Sequence, residues 1–165
     1  MNTNEITHIY FDWASTLAYS KMRNIFLYSK TIEDKLSVLY KDTEYILKYL
    51  SSKGYILGII SNTSKDKNTF LEALANTNLL NYFKGAIILS NGQYKKPCKE
   101  IFNDALTTDC ITPEKAVMVG NDYHKDIIGA FNINMFTVYI DREKIIHEPI
   151  YNIKIDELNE LINYF

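Results

Sequence analysis

The chain has 165 residues, of which 47% are apolar and 23% are charged, and its formal net charge is −2. This length suits one domain with a hydrophobic core, and the charge excludes the strongly basic composition that is typical of nucleic-acid-binding proteins. Arginine occurs only at Arg23 and Arg142, so a phosphate site must depend on lysine, hydroxyl groups, backbone amides or a metal ion.

The sequence carries no pattern that is typical of export or membrane insertion. Its two cysteines are too few for a disulfide framework. Residues 1–7 contain neither a basic nor an apolar signal region. Apolar stretches all fall short of the roughly 18 residues that a membrane span needs. We therefore expect a cytoplasmic protein that has no nucleic-acid or membrane partner.

The first third of the chain predicts a strand, a helix and a second strand. The apolar runs at 6–11 and 55–60 predict the two strands. Between them, an apolar stripe at helical spacing predicts a helix that ends near Gly54. The stripe consists of Ile32, Leu36, Leu39, Thr43, Ile46, Leu47 and Leu50.

The rest of the chain continues this alternation. Further strands are predicted over 86–89, 116–119 and 136–139, and further helices over 66–75, 97–106, 123–131 and 155–165. Alternating strands and helices are typical of a parallel sheet covered by helices on both faces. We therefore predict an α/β fold, a three-layer Rossmann-like sandwich with a five-stranded, mainly parallel sheet.

Residues 1–165 are predicted to form this single domain. The crossover helix occupies most of the chain between the first two strands, so only a minimal cap segment near residues 18–31 is left over. A site without a large cap is open, and open sites suit large substrates or partner proteins.

Polar residues follow the predicted strands at the edge where such sheets hold their sites. Asp12 ends the first strand, Ser61-Asn62-Thr63 ends the second, and Gly120-Asn121-Asp122 ends the fourth, with Asp126 shortly after and Lys96 before the 97–106 helix. Carboxylates are hard oxygen ligands that suit Mg²⁺. A cation is also needed to hold an aspartate nucleophile near a phosphate. These residues therefore predict a site for Mg²⁺ and a phosphate group.

Four segments resemble, in order, the four motifs of the haloacid dehalogenase superfamily: IYFDWASTL, LGIISNTS, KKPCKEIF and AVMVGNDYHKDIIGA. The resemblance implies that Asp12 is the catalytic nucleophile and that Lys96 is the catalytic lysine. It also implies that Ser61 and Lys96 bind phosphate. Asn62 and Trp13 complete the predicted phosphate-binding set, with Trp13 either a wall of the cleft or part of the core.

The resemblance further implies a Mg²⁺ site at the fourth motif, completed by Asp12 and the backbone carbonyl of Ala14. Either Asn121 or Asp122 takes the first acidic position of that motif, and Asp126 takes the second. Asp122 is favoured as the metal ligand because it is ionised, and Asn121 is the alternative.

Ala14 departs from the pattern of the phosphatases in this superfamily. They have a second aspartate at that position, which protonates the leaving oxygen and later activates water. Loss of such a general acid or base typically costs about 10²- to 10⁴-fold in rate. An acyl or aryl phosphate has a good leaving group and does not need that acid.

The segment FDWAST also resembles the first motif of phosphonoacetaldehyde hydrolases, which carry alanine at this position. Those proteins use a Schiff-base lysine in a helical cap, and residues 18–31 are too short for that cap.

We therefore expect a Mg²⁺-dependent hydrolase of this superfamily, of phosphatase or phosphono-hydrolase type, that forms an aspartyl-phosphate at Asp12. Its expected partner is a phosphorylated small molecule or a phosphoprotein. The alternative is a catalytically impaired domain of the same fold that binds a phosphate group or a protein.

Overall fold

A computed structural model describes residues 5–19, 38–90, 94–144 and 150–165. These residues form a six-stranded sheet in the order β3-β2-β1-β4-β5-β6, and every neighbouring pair is parallel. The strands are β1 His8–Phe11, β2 Ile56–Asn62, β3 Phe83–Ser90, β4 Ala116–Gly120, β5 Phe136–Ile140 and β6 Ile153–Ile155.

The predicted α/β class and parallel sheet are confirmed, but the predicted number of five strands is wrong. The sixth strand, β6, has only three residues and pairs with the edge of β5. A period-2 pattern cannot be recognised over three residues. Ile155 also continues the apolar stripe of the following residues, so the spacing predicts a helix over 155–165. The chain instead forms a 3₁₀-helix at Leu158–Asn163.

Helices cover the sheet between the strands. They are α1 Thr43–Ser52, α2 Lys67–Asn76, α3 Lys99–Thr108 and the short α4 Gly129–Phe131, which continues a π-helical segment at Tyr123–Ile128. Within the predicted 32–50 stripe, Leu39 pairs with Ala18 in an isolated antiparallel bridge instead of joining α1. Ile32 and Leu36 lie outside the described residues, as does most of the predicted cap segment 18–31.

The core lies on both faces of the sheet, because the central strands β1 and β4 are fully buried. Successive residues of a strand point to opposite faces. Accordingly, Ile9 and Phe11 pack in the cluster that includes Leu47 of α1, whereas Tyr10 packs in the cluster that includes Phe102 of α3. This is the predicted three-layer arrangement.

The parallel topology decides where polar residues meet. All the strands run in one direction, so the residues that follow β1, β2, β4 and β5 share one edge of the sheet. No helix among the described residues is both long and apolar enough to cross a membrane.

Candidate active site

Lys96 lies at the centre of the predicted site. Its Nζ is 2.7 Å from Asp12 Oδ1, 2.7 Å from Asp126 Oδ1 and 2.7 Å from the carbonyl oxygen of Ile60. A lysine ammonium has three N–H donors, and these acceptors use all three. Only 1% of the side chain is exposed, so the structure fixes both the position of the ammonium and the direction of its bonds.

The two carboxylates keep this buried lysine charged. Burial alone would lower the pKa of Lys96, but Asp12 and Asp126 outweigh that cost and raise it. Burial also raises the pKa of Asp126, with Lys96 acting in the opposite direction and Asp12 adding to the rise. Both oxygens of Asp126 accept hydrogen bonds from N–H donors, which is the geometry of an ionised carboxylate.

Both carboxylate oxygens of Asp126 accept hydrogen bonds from neighbouring residues. Its Oδ1 pairs with Lys96, and its Oδ2 accepts the backbone N–H of Asp122 at 2.9 Å. A Cβ on Gly120 would lie 2.3 Å from Asp126 Oδ2, so this close approach requires glycine. The carboxylate is 1% exposed. Asp126 therefore anchors Lys96 and the start of the π-helical segment.

Asp12 follows β1 and is held on one side of its carboxylate. Its backbone N–H donates to Val119 at 2.9 Å, which continues the pairing of β1 with β4. Oδ1 accepts from Lys96 Nζ and, at 3.2 Å, from Ser61 Oγ. The described residues place no hydrogen-bond donor on Oδ2, so this oxygen is available to a reacting group.

Asn62 holds the backbone of Lys96. Its Nδ2 donates to the Lys96 carbonyl at 3.0 Å, and its Oδ1 accepts the Lys96 N–H at 2.9 Å. The carbonyl of Ile60, two residues earlier, accepts from the ammonium. The end of β2 therefore tethers Lys96 at both its backbone and its charged end. Nothing in the spacing of the sequence indicated this clamp, because Asn62 and Lys96 are far apart in the chain.

The loop at residues 13–18 returns tightly towards β1. The carbonyl of Trp13 accepts the N–H groups of Leu17 and Ala18, both at 3.0 Å, and Ser15 has a positive φ of 64°. The Trp13 ring packs edge-on against Phe70 at 5.6 Å between ring centroids, and Trp13 is part of the core. We refer to residues 13–18 as the post-nucleophile loop, because they follow Asp12, the residue that the motif resemblance implies as nucleophile. Ala14 is exposed on this loop and supplies no side-chain group for proton transfer.

The two candidates in the fourth motif have different hydrogen-bond partners. Asp122 Oδ1 accepts the Lys125 N–H at 2.9 Å and caps the π-helical segment, and its Oδ2 pairs with the Lys125 ammonium. Burial would raise the pKa of Asp122, but these bonds from Lys125 lower it. Asn121 instead faces the post-nucleophile loop, where its Oδ1 accepts from Thr16 Oγ1 at 3.3 Å. Sequence reasoning had given Thr16 no role.

The donor set fits a magnesium ion only with help from other ligands. The described residues contain no group of three or more His, Cys, Asp or Glu side chains that could hold a metal. The candidate ligands are the Asp12 carboxylate, the Ala14 carbonyl and either the Asn121 amide oxygen or the Asp122 carboxylate, which already pairs with Lys125. Magnesium in proteins often takes one or two carboxylates and completes its shell with water and substrate phosphate. One carboxylate and two neutral oxygens are compatible with that pattern.

Comparison with known proteins agrees with the geometry. Over 104 residues the chain is 35% identical to the glyceraldehyde 3-phosphate phosphatase of Methanothermobacter thermautotrophicus. This alignment covers 63% of this chain and 45% of that protein. It therefore spans less than half the length of this curated relative.

Two solved structures show the same fold. An uncharacterized protein from Listeria monocytogenes serotype 4b has a TM-score of 0.79 and 26% identity, with 96% of each chain covered. A HAD phosphatase from Thermococcus onnurineus has a TM-score of 0.67 and 32% identity over 76% of this chain and 57% of that one. The family model described as haloacid dehalogenase-like hydrolase matches residues 5–140. With the clustered aspartates and lysine at the sheet edge, this match shows that the chain belongs to the haloacid dehalogenase-like hydrolase family.

Proposed function

We propose that the protein is a phosphatase-like hydrolase in which Asp12 attacks phosphorus and forms an aspartyl-phosphate. The observation that carries this proposal is the asymmetric environment of the Asp12 carboxylate. Lys96 and Ser61 hold Oδ1, whereas no donor among the described residues engages Oδ2. A fixed nucleophile that keeps one oxygen available suits covalent catalysis.

The residues around Asp12 have separate roles in this proposal. Oδ2 of Asp12 forms a bond to phosphorus while the bond from phosphorus to the leaving oxygen breaks, and the electron pair leaves with that oxygen. Water then hydrolyses the aspartyl-phosphate, which releases inorganic phosphate and restores Asp12. Ser61 and the amides after β2 bind phosphate oxygens, and Asn62 acts through Lys96, whose backbone it clamps. The Trp13 ring forms one wall of the cleft in this proposal and packs edge-on against Phe70.

Magnesium would be held by Asp12, the Ala14 carbonyl and Asn121, with Asp122 as the alternative to Asn121. When bound, it supplies positive charge that stabilises the phosphate oxygens. In this arrangement Asp126 contributes by fixing Lys96, because both of its oxygens are already engaged.

Ala14 decides which substrates suit this site. With no acid to protonate the leaving oxygen, a substrate must carry a leaving group that is stable as an anion. Acyl and aryl phosphates meet this condition, and simple alkyl phosphates do not. The match to a glyceraldehyde 3-phosphate phosphatase supports the coarser class of phosphorylated small molecules, whereas Ala14 argues against alkyl esters such as that relative's substrate. A cytoplasmic location is part of the proposal and rests on the sequence alone.

The second candidate function is a domain that binds a phosphorylated molecule or a phosphoprotein without turnover. Two observations favour it. Ala14 removes the general acid and base, and a neutral amide, Asn121, faces the post-nucleophile loop. With alanine at position 14 and asparagine at position 121, the chain still has the fold and the ion pair between Asp12 and Lys96.

The test is hydrolysis of para-nitrophenyl phosphate and acetyl phosphate with and without Mg²⁺, with phosphonoacetaldehyde as a third compound for the phosphono-hydrolase type. Wild type is compared with Asp12→Asn. The matched control is Asp104→Asn, because Asp104 is an exposed aspartate on α3. We expect turnover that requires Mg²⁺ and Asp12 and is unchanged in Asp104→Asn. Binding of inorganic phosphate by a protein that turns over none of these compounds would support the second function instead.

A further inference from the structure

Arg142 follows β5 and contacts two other segments beside the site, the loop at residues 13–18 and the residues just before α1. Its Nη2 donates to the carbonyl of Thr16 at 3.3 Å and lies 3.1 Å from Asp42 Oδ1 and 3.3 Å from Asp42 Oδ2. Its guanidinium carbon lies 3.9 Å from the centroid of the Tyr40 ring. One guanidinium therefore contacts the post-nucleophile loop, the residue before α1 and an aromatic ring.

Asp42 makes this arrangement rigid. Its side chain is fully buried, and Oδ2 also accepts the backbone N–H of Leu158 at 2.8 Å. Asp42 immediately precedes α1, whereas Leu158 begins the carboxyl-terminal 3₁₀-helix. The Arg142–Asp42 pair thus joins the start of one helix, the start of another and the segment after β5. A buried pair of this kind holds its partners in one geometry.

Thr16 passes this constraint to the site. The residue is fully buried, and while its carbonyl accepts from Arg142, its hydroxyl donates to Asn121 Oδ1. The next residue, Leu17, accepts from Thr43 Oγ1 at 2.6 Å through its carbonyl. Residues 13–18 are therefore held by hydrogen bonds from Thr43 of α1 and from Arg142. The Thr16 hydroxyl in turn donates to the side-chain amide oxygen of Asn121.

We propose that Arg142 is a positioning residue that fixes the post-nucleophile loop and, through Thr16, the Asn121 side chain. Its effect on turnover rests on the proposed function, whereas its effect on the loop does not. An arginine suits this role because its planar guanidinium can donate to a carbonyl and a carboxylate while it packs over the Tyr40 ring. A lysine ammonium is a compact charge that lacks this planar geometry.

Trp13 reports on the loop without any need for turnover. It is the only tryptophan in the chain, it belongs to the loop, and it is nearly buried against Phe70. In Arg142→Ala we expect the tryptophan emission to shift to longer wavelength and its quenching by acrylamide to increase. Low, non-denaturing concentrations of guanidinium chloride should reverse both changes by filling the vacated position on Asp42. Arg142→Lys should give an intermediate change.

Lys154→Met is the matched control. Lys154 also pairs with a buried aspartate beside β5, Asp141, but among the described residues it makes no hydrogen bond or ion pair with residues 13–18. Lys154→Met should lower stability to urea without changing the tryptophan signal.

The double variant Arg142→Met with Asp42→Asn keeps the test valid if Arg142→Ala does not fold, because it leaves no unpaired buried carboxylate. It should show the same red shift as Arg142→Ala.

Turnover gives the second measurement. On acetyl phosphate, Arg142→Ala should lower kcat about tenfold with little change in KM, since positioning acts on the reacting geometry. Unchanged emission in Arg142→Ala, or an equal shift in Lys154→Met, would overturn the inference. If wild type turns over no substrate, the proposed function fails, and the tryptophan measurement still decides the role of Arg142.

Discussion

The burial of Lys96 between two aspartates makes Lys96→Met the most informative single change. Methionine fills a similar volume but leaves Asp12 and Asp126 without their shared cation. Removing one partner of a buried ion pair costs about 3–5 kcal/mol of folding free energy. The side chains of Lys96, Asp12 and Asp126 are 1%, 10% and 1% exposed, so solvent cannot compensate, and the upper part of that range is expected.

The neighbouring residue offers a matched control. Lys95 is exposed, and Lys95→Met should change the free energy of unfolding by no more than about 0.5 kcal/mol. Urea denaturation followed by far-UV circular dichroism measures both variants, with the slope of the transition checked for constancy. The double variant Lys96→Met with Asp126→Asn should recover part of the loss, because one uncompensated charge is removed and the amide oxygen still accepts from Asp122. Equal midpoints for Lys96→Met and Lys95→Met would refute the buried, doubly paired lysine.

Three further changes test the site and the core. Ala14→Asp should raise turnover of para-nitrophenyl phosphate by about 10²-fold or more, since it restores a proton donor and acceptor, and should raise turnover of acetyl phosphate less, as steady-state assays would show. Asn121→Asp should tighten Mn²⁺ binding by on the order of tenfold, because an anionic ligand replaces a neutral one, measured by electron paramagnetic resonance. Tyr10→Phe should cost about 1–3 kcal/mol in urea denaturation, because its hydroxyl donates to Asp109 at 2.6 Å from a buried ring.

Each of these changes has an outcome that contradicts its reasoning. No gain on either phosphate in Ala14→Asp would count against a latent phosphatase. Asp122→Asn is the isosteric partner of Asn121→Asp, and a loss of Mn²⁺ binding there, with no gain in Asn121→Asp, would place the metal at Asp122. Tyr164→Phe is the control for Tyr10→Phe because Tyr164 is exposed, and equal effects of the two would show that the Asp109 bond contributes nothing.

The strands that position the site were predictable because they are central and buried. A strand buried on both faces gives an unbroken apolar run, and β1 and β4 meet that condition. The edge strand β6 does not, since its three residues are unequally buried. Leu39 fitted the helical stripe by spacing alone, although its backbone pairs with Ala18.

The residues of the site were predictable as a set, but their individual contacts were not. Sequence position indicated that Asp12, Lys96 and Asp126 would meet, because each lies beside the carboxyl end of a strand. The different contacts of Asn121 and Asp122 depend on a turn geometry that adjacent residues in the sequence do not reveal. Formal charge favoured Asp122, but a carboxylate at the start of a helical turn also caps backbone N–H groups, and Asp122 does so.

Ala14 and Asn121 are both uncharged at positions where a carboxylate would add negative charge to the site. Asp12, Asp126 and Lys96 together carry one net negative charge, so a phosphate dianion is repelled unless positive charge is added. Carboxylates at positions 14 and 121 would strengthen that repulsion, although they would also bind a divalent cation more firmly. Under the proposed function, asparagine at position 121 weakens the hold on metal, alanine at position 14 removes the proton donor, and both ease the entry of an anion. The proposed site therefore suits phosphate binding better than proton transfer to a poor leaving group.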